Sequence, residues 1–215
     1  MPIKIVNEPI ERTTAFTDAV LAFFAIGCAI YLQIGDVGEV WKYSIWTWAF
    51  ICIALSSMLG AVAHGSVLSE AAHKSIWQII NLALGLSVSL FVVGVSYDLW
   101  GFPVAGYMFW LMLVLGCAFF LVTRIFPGIF FVFIIYEGIA LMFAFAAYAW
   151  IAARGSIDGA ALMATGVFVS IVAAAIQATR QVGFKLIWHF DHNGIFHMIQ
   201  VLGLALLVMG LKSAQ

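Results

Sequence analysis

The segment Trp188-His189-Phe190-Asp191-His192-Asn193-Gly194-Ile195-Phe196-His197 carries three of the chain's five histidines. A neutral imidazole is the commonest metal ligand in proteins, and three protein ligands plus a water describe a catalytic zinc site. His64, His192 and His197 supply such a trio. At about 100° per residue, positions 193 and 197 stack on one helix face while 192 and 197 differ by about 140°. His192 therefore approaches His197 only from an uncoiled first turn, and Asp191 and Asn193 are suited to cap a helix that starts there. Asn193 and His189 stand as alternatives to His192 as the third ligand. Hydrolysis at such an ion also needs a carboxylate to carry the proton, and Glu137 and Asp18 are the two acids within reach of the same layer.

The elements that must position these groups are membrane helices. At 65% hydrophobic and 9% charged residues, with a mean hydropathy of +1.13, the chain has more apolar surface than a soluble domain can bury. Apolar runs matched to a bilayer core of roughly 30 Å lie at about 17–34, 43–63, 75–97, 104–123, 128–152, 159–179 and 194–211. They lack the alternation of barrel strands, so the expectation is an all-α, seven-helix polytopic membrane protein, with residues 1–215 forming a single transmembrane domain. The polar first eighteen residues have no cleavable leader pattern, so the first span reads as an uncleaved signal anchor. Gly35 and Gly38, Gly101-Phe102-Pro103, Phe126-Pro127-Gly128 and Arg154-Gly155-Ser156 punctuate the connections. Cys28, Cys52 and Cys117 fall inside spans without paired spacing and read as packing residues. A net charge of −1 gives no reason to expect nucleic acid.

Seven spans put the termini on opposite sides. The N-terminal side, side A, receives Lys4, Arg12, Lys74, Arg124, Arg180 and Lys185, against Lys42, Arg154 and Lys212 on side B. This bias predicts a cytoplasmic N-terminus and an outside C-terminus. All five histidines then fall on side A: His64 at the end of the second span, His73 at the start of the third, and His189, His192 and His197 leading into the seventh. Glu11, Asp18, Glu137, Gln177, Asn193 and Gln200 belong to the same layer, with Glu11, His73, His189, Asn193 and Gln200 as supporting groups. Polar side chains inside spans are costly and face a cavity or one another, which marks the layer as a functional site.

Plainer roles compete with the chemical ones. Asp18 follows Thr17 at the start of a span, where it can act as a cap, and Glu137 can bridge to Arg124 or Arg180. Asp36, Glu39, Asp98 and Asp158 on side B read as loop residues open to solvent. The eight tryptophans, including Trp41, Trp46, Trp100, Trp150 and Trp188, read as an interfacial belt. Gly60, Gly85 and Gly138 suggest close helix approach or an opening.

Three features together resemble the CREST superfamily of seven-helix membrane proteins. They are Glu11-x-x-Thr14-x-x-Thr17-Asp18 at the start of the first helix, a histidine (His64) near the end of the second with Ser57 two turns earlier, and His192-Asn193-Gly194-Ile195-Phe196-His197 into the seventh. That superfamily includes the alkaline ceramidases, the progestin and adipoQ receptors and lipid-remodelling hydrolases. The resemblance implies a zinc ion held by one histidine of the second helix and two of the seventh. It also implies a nearby serine and aspartate, and hydrolysis of an amide or ester bond in a lipid substrate. The chain departs from the pattern. Gly60, not serine, stands four residues before His64, the His-x-x-x-His spacing gives Asn193 and His197, and Asn81 or His73 replaces the aspartate of the third helix. A non-enzymatic receptor or transporter-like bundle, using the same layer as a structural metal or proton-relay site, is the alternative reading. A retinal protein is excluded, because Lys212 lies at the outer end of the last helix.

Overall fold

The computed structural model describes residues 4–34, 38–126, 130–185 and 187–214. Among them are seven helices long and apolar enough to cross a membrane: α1 Pro9–Leu32, α2 Val40–Gly65, α3 Glu70–Trp100, α4 Phe102–Ile125, α5 Phe130–Arg154, α6 Ala160–Thr179 and α7 His192–Ser213. The protein is an all-α, multi-pass integral membrane protein. Asp36, Gly35, Pro127 and Gly128 lie outside the described residues.

Local chemistry sets the helix ends. Pro9 opens α1 at a position where its missing N–H costs nothing. Ser69 caps α3 by accepting from the Ala72 N–H at 3.3 Å, and Asp191 caps α7 by accepting from the Gly194 N–H at 2.9 Å. Arg180 ends α6 in the left-handed region at φ 54°. Between α6 and α7 a short antiparallel hairpin pairs β1 (Phe184–Lys185) with β2 (His189–Phe190).

Six helices close a ring in the order α1, α2, α3, α5, α6, α7, while α4 stands outside, packed on α3 and barely touching α5. Small residues allow the tight seams. A Cβ on Gly166 of α6 would fall 2.9 Å from the Gly203 carbonyl of α7, and one on Gly85 of α3 would meet Phe119 of α4 at 2.7 Å. Gly138 is different: nothing lies within 4 Å of a Cβ there, so it makes no close approach. The main core, including Leu32, Tyr43, Trp46, Phe50, Tyr148, Met163 and Leu211, fills the side-B half of the ring.

Three expectations need correcting. Asp18 is not a cap: α1 begins at Pro9, so Asp18 lies nine residues, about 14 Å, inside the helix, and it is buried. Asp98 is not open to solvent. Its side chain is buried against Lys42, with Nζ to Oδ1 at 2.6 Å, and the Tyr148 hydroxyl donates to Oδ2 at 2.8 Å. The pairing occurs because α3 runs on to Trp100, which brings Asp98 down beside the start of α2. Trp46 does not belong to the belt. It is buried, because Gly94 of α3 leaves a notch in which a Cβ would sit 2.6 Å from the indole. Trp100, Trp150 and Trp188 are exposed as a belt requires.

Candidate functional site

A cavity of about 780 Å³ opens within the ring. Asp18, Ser57, His64, His73, Asn81, Glu137, His192, Asn193, His197 and Gln200 all line it. Along α2 it runs from His64 to Trp46, eighteen residues, or about 27 Å at 1.5 Å per residue. The side-A end is polar, and Lys74, Arg124 and Arg180 add cations to its rim. The deep end is walled by Phe50, Phe91, Leu204 and Leu207 and closes on Trp46.

The polar end is built by α1 docking between α2 and α7. Glu11, Thr14 and Asp18, spaced by three and four residues, share one face of α1. The first tier joins α1 to α2, with Glu11 Oε2 at 2.7 Å from His64 Nδ1. In the second, Thr14 donates to Asp191 Oδ1 at 3.0 Å, which fastens α1 to the cap of α7. In the third, His197 is buried between Thr17 Oγ1, 3.0 Å from Nδ1, and Asp18 Oδ1, 3.2 Å from Nε2. Gln177 of α6 donates to Asn193 at 3.3 Å, and Asn193 donates to Asp191 Oδ2 at 3.3 Å. His64 packs edge-on to Trp77 with ring centroids 5.9 Å apart, and Trp77 Nε1 donates to His73 Nε2 at 3.1 Å.

Gly60 makes the third tier possible. A Cβ at that position would lie 2.7 Å from Asp18 Oδ2 and 3.0 Å from Cγ and Oδ1. The carboxylate thus fills the space that a side chain would take four residues before His64. The glycine at position 60 and the burial of Asp18 are thus coupled.

The hydrogen bonds also favour one tautomer of His197. The Thr17 hydroxyl gives its one hydrogen to the Thr14 carbonyl at 2.9 Å, so it accepts from Nδ1–H of the ring. Nε2 then faces Asp18 as a lone pair. A lone pair and a carboxylate oxygen at 3.2 Å repel, so a proton or a metal cation must serve both.

His64 and His197 are held in the same manner. In each ring Nδ1 is tied to a neighbouring oxygen and Nε2 is left for another partner, as in histidines that bind metals. The shell is not closed in this arrangement. Among the described residues, no three His, Cys, Asp or Glu side chains converge tightly enough to hold an ion, so an ion would draw at least one donor inward.

Other sequence expectations fare unevenly. His189 is exposed in β2 and does not line the cavity. Glu137 lines the cavity with no ion pair to Arg124 or Arg180 among the described residues. Glu11 touches the site only through His64. Sequence reasoning missed Thr17 as the partner of His197 and Trp77 as the partner of His64. Thr17 carried a signal in its place directly before Asp18, whereas Trp77 carried none.

The fold and cavity define a seven-helix membrane protein with an axial cavity that is polar at one end and apolar at the other. Residues 13–215 match the family of unknown function DUF6962, and the chain belongs to that family. No curated protein and no solved structure matches it.

Proposed function

We propose that the protein is a membrane hydrolase that cleaves an amide or ester bond of a lipid whose chain lies in the axial cavity. The observation that carries this reading is the cavity itself. One continuous space joins Asp18, Ser57, Glu137 and the three histidines to an apolar shaft. The whole cavity, about 27 Å along α2 from its polar end to Trp46, exceeds one leaflet's share, about 15 Å, of a 30 Å hydrocarbon core, so it accepts a chain with its head group among the polar residues.

His64, His192 and His197 are the residues that would hold a zinc ion. When bound, zinc supplies a Lewis acid that polarises a carbonyl and acidifies water. The chain's own groups do the rest. Lys74, Arg124 and Arg180 draw an acidic or polar head group to the rim. Glu137, a carboxylate facing the cavity with no ion pair among the described residues, takes a proton from water and delivers it to the leaving group. Asp18 orients what lies at Nε2 of His197, and Ser57 offers a hydroxyl farther down α2. The apolar walls exclude bulk water, which strengthens each of these interactions. The Lys/Arg asymmetry supports side A as the cytoplasmic face, and reporter fusions at the two termini check this: an outside signal from the N-terminus reverses the orientation. Resemblance to a superfamily of lipid hydrolases supports the same reaction class.

The test is release of free fatty acid from ceramides and phospholipids by reconstituted protein, combined with metal analysis. Activity is expected to vanish on chelation and in His197→Ala, and to fall in Glu137→Gln with metal content unchanged. Stoichiometric zinc without cleavage of any lipid overturns the hydrolase reading in favour of a metal clamp joining α2 and α7 in a receptor-like bundle.

A further inference from the structure

The hairpin between α6 and α7 sits low beside α1. The cap of α7 is bonded to Thr14, five residues into α1, so α7 begins about 8 Å below the first turn of α1. The hairpin hangs from that depth. Trp188 packs edge-on to Phe16, with ring centroids 5.3 Å apart, on the outer face of α1. Phe16 is 51% exposed and begins a stripe continued by Phe23 and Ile30, the face of α1 turned away from the ring.

The hairpin's own apolar side chains also point outward. Ile187 is 86% exposed and Trp188 52%, and Phe184 stacks on Phe190 at 5.1 Å while remaining exposed. In water, such a cluster on a loop of this size carries an unfavourable hydration cost. Full immersion in hydrocarbon is excluded too, because only two residues of each strand pair and the other backbone groups need water or head-group oxygens. The layer that satisfies both conditions is the head-group and upper acyl region, where tryptophan is enriched and where Lys185 meets phosphates.

We propose that this hairpin is an interfacial wedge bound to the lipids of the side-A leaflet, with Ile187 and Trp188 among the upper acyl carbons. Its apolar surface is continuous with the lipid-facing stripe of α1, which identifies the occupant as lipid. β2 leads directly into Asp191, His192 and Asn193, so the wedge sets the depth at which the rim of the cavity is held. The proposal does not depend on the reaction carried out there.

A nitroxide label on Ile187→Cys in the full-length chain, reconstituted in phosphatidylcholine vesicles, tests it. Glu8→Cys, at the exposed start of α1, serves as the aqueous reference, and the wild-type chain with its three cysteines as the labelling blank. Relaxation of the Ile187→Cys label is expected to respond to oxygen over a water-soluble nickel chelate several-fold more than at Glu8→Cys. Independently, the difference in emission between wild type and Trp188→Phe is expected to be blue-shifted and quenched by lipids brominated near the head group. Relaxation dominated by nickel, or a Trp188 contribution quenched by aqueous iodide and not by brominated lipid, places the hairpin in water and overturns the proposal. Insensitivity to all of these agents places it under protein and overturns it equally. Absence of lipid hydrolysis by the wild-type protein, with the label in the acyl layer, counts against the hydrolase reading and leaves the wedge intact.

Discussion

Replacing Gly60 by alanine tests whether the notch in α2 places the Asp18 carboxylate. The added methyl would sit 2.7 Å from Oδ2, where ordinary contact begins at 3.4 Å. Asp18 must then retreat by about 0.7 Å, or α1 must shift by as much, since close-packed interiors absorb little of such an overlap. The 3.2 Å approach of Oδ1 to His197 Nε2 is already at the long limit of a hydrogen bond. Such a displacement breaks it. A buried hydrogen bond to a charged group contributes about 1.5–3 kcal/mol, which as transition-state stabilisation is about ten- to a hundred-fold in rate. The assay is lipid hydrolysis beside metal content and the thermal unfolding midpoint in detergent. Gly138→Ala is the control, because a Cβ there meets nothing within 4 Å and the substitution favours helix. Gly60→Ala is expected to lose activity with a modest loss of stability, and Gly138→Ala to lose neither. Wild-type turnover in Gly60→Ala beside a damaged Asp18→Asn refutes the reasoning, because the carboxylate would then work without the notch.

Three further outcomes follow from the contacts. Thr17→Val leaves Nδ1–H of His197 buried without an acceptor and is expected to cost about 1–3 kcal/mol in detergent unfolding, while Thr17→Ser stays near wild type. Asp98→Leu leaves the buried Lys42 with the half-exposed Glu39 carboxylate, at 3.3 Å, in place of its 2.6 Å contact, and is expected to destabilise by about 1.5–3 kcal/mol; adding Lys42→Met recovers most of that loss in the same melt. His189→Ala, outside the cavity, is expected to keep hydrolysis within about twofold of wild type, as surface changes do, while His197→Ala abolishes it.

The sequence determines much of this through parity and length. Runs of about twenty apolar residues admit only helices in a bilayer, and counting seven of them brings all five histidines to one side before any contact is known. The cap of α7 at Asp191 was readable for the same reason, since Asp followed by a helical pattern is a local signal. The depth of a residue along its helix was harder to read. Glu11 and Thr14 look like residues outside a membrane, yet α1 begins at Pro9 and these polar groups are met by His64 of α2 and by Asp191 at the cap of α7. Asp18 thereby moves from a helix end to the interior.

Contacts that depend on how closely two backbones approach were harder still, because the residue that decides them has no side chain to signal its role. Gly60 admits the Asp18 carboxylate and Gly94 admits the Trp46 indole. In water the hydrophobic effect drives large side chains together and leaves a pattern to read. Between helices in lipid that drive is absent, and packing is set by where small residues let the backbones close. A serine and a glycine at position 60 therefore differ by more than a hydroxyl. A serine there would bring a side chain into the site from α2, and the glycine lets α1 bring a carboxylate into the same volume. The chemistry offered to Nε2 of His197 is thus chosen by α1, which is why Gly60→Ser is expected to behave like Gly60→Ala while Asp18 remains. Gly60→Ser combined with Asp18→Ala is the variant in which the serine has room, and recovery of activity in it above either single change is the result expected if the two side chains compete for one space.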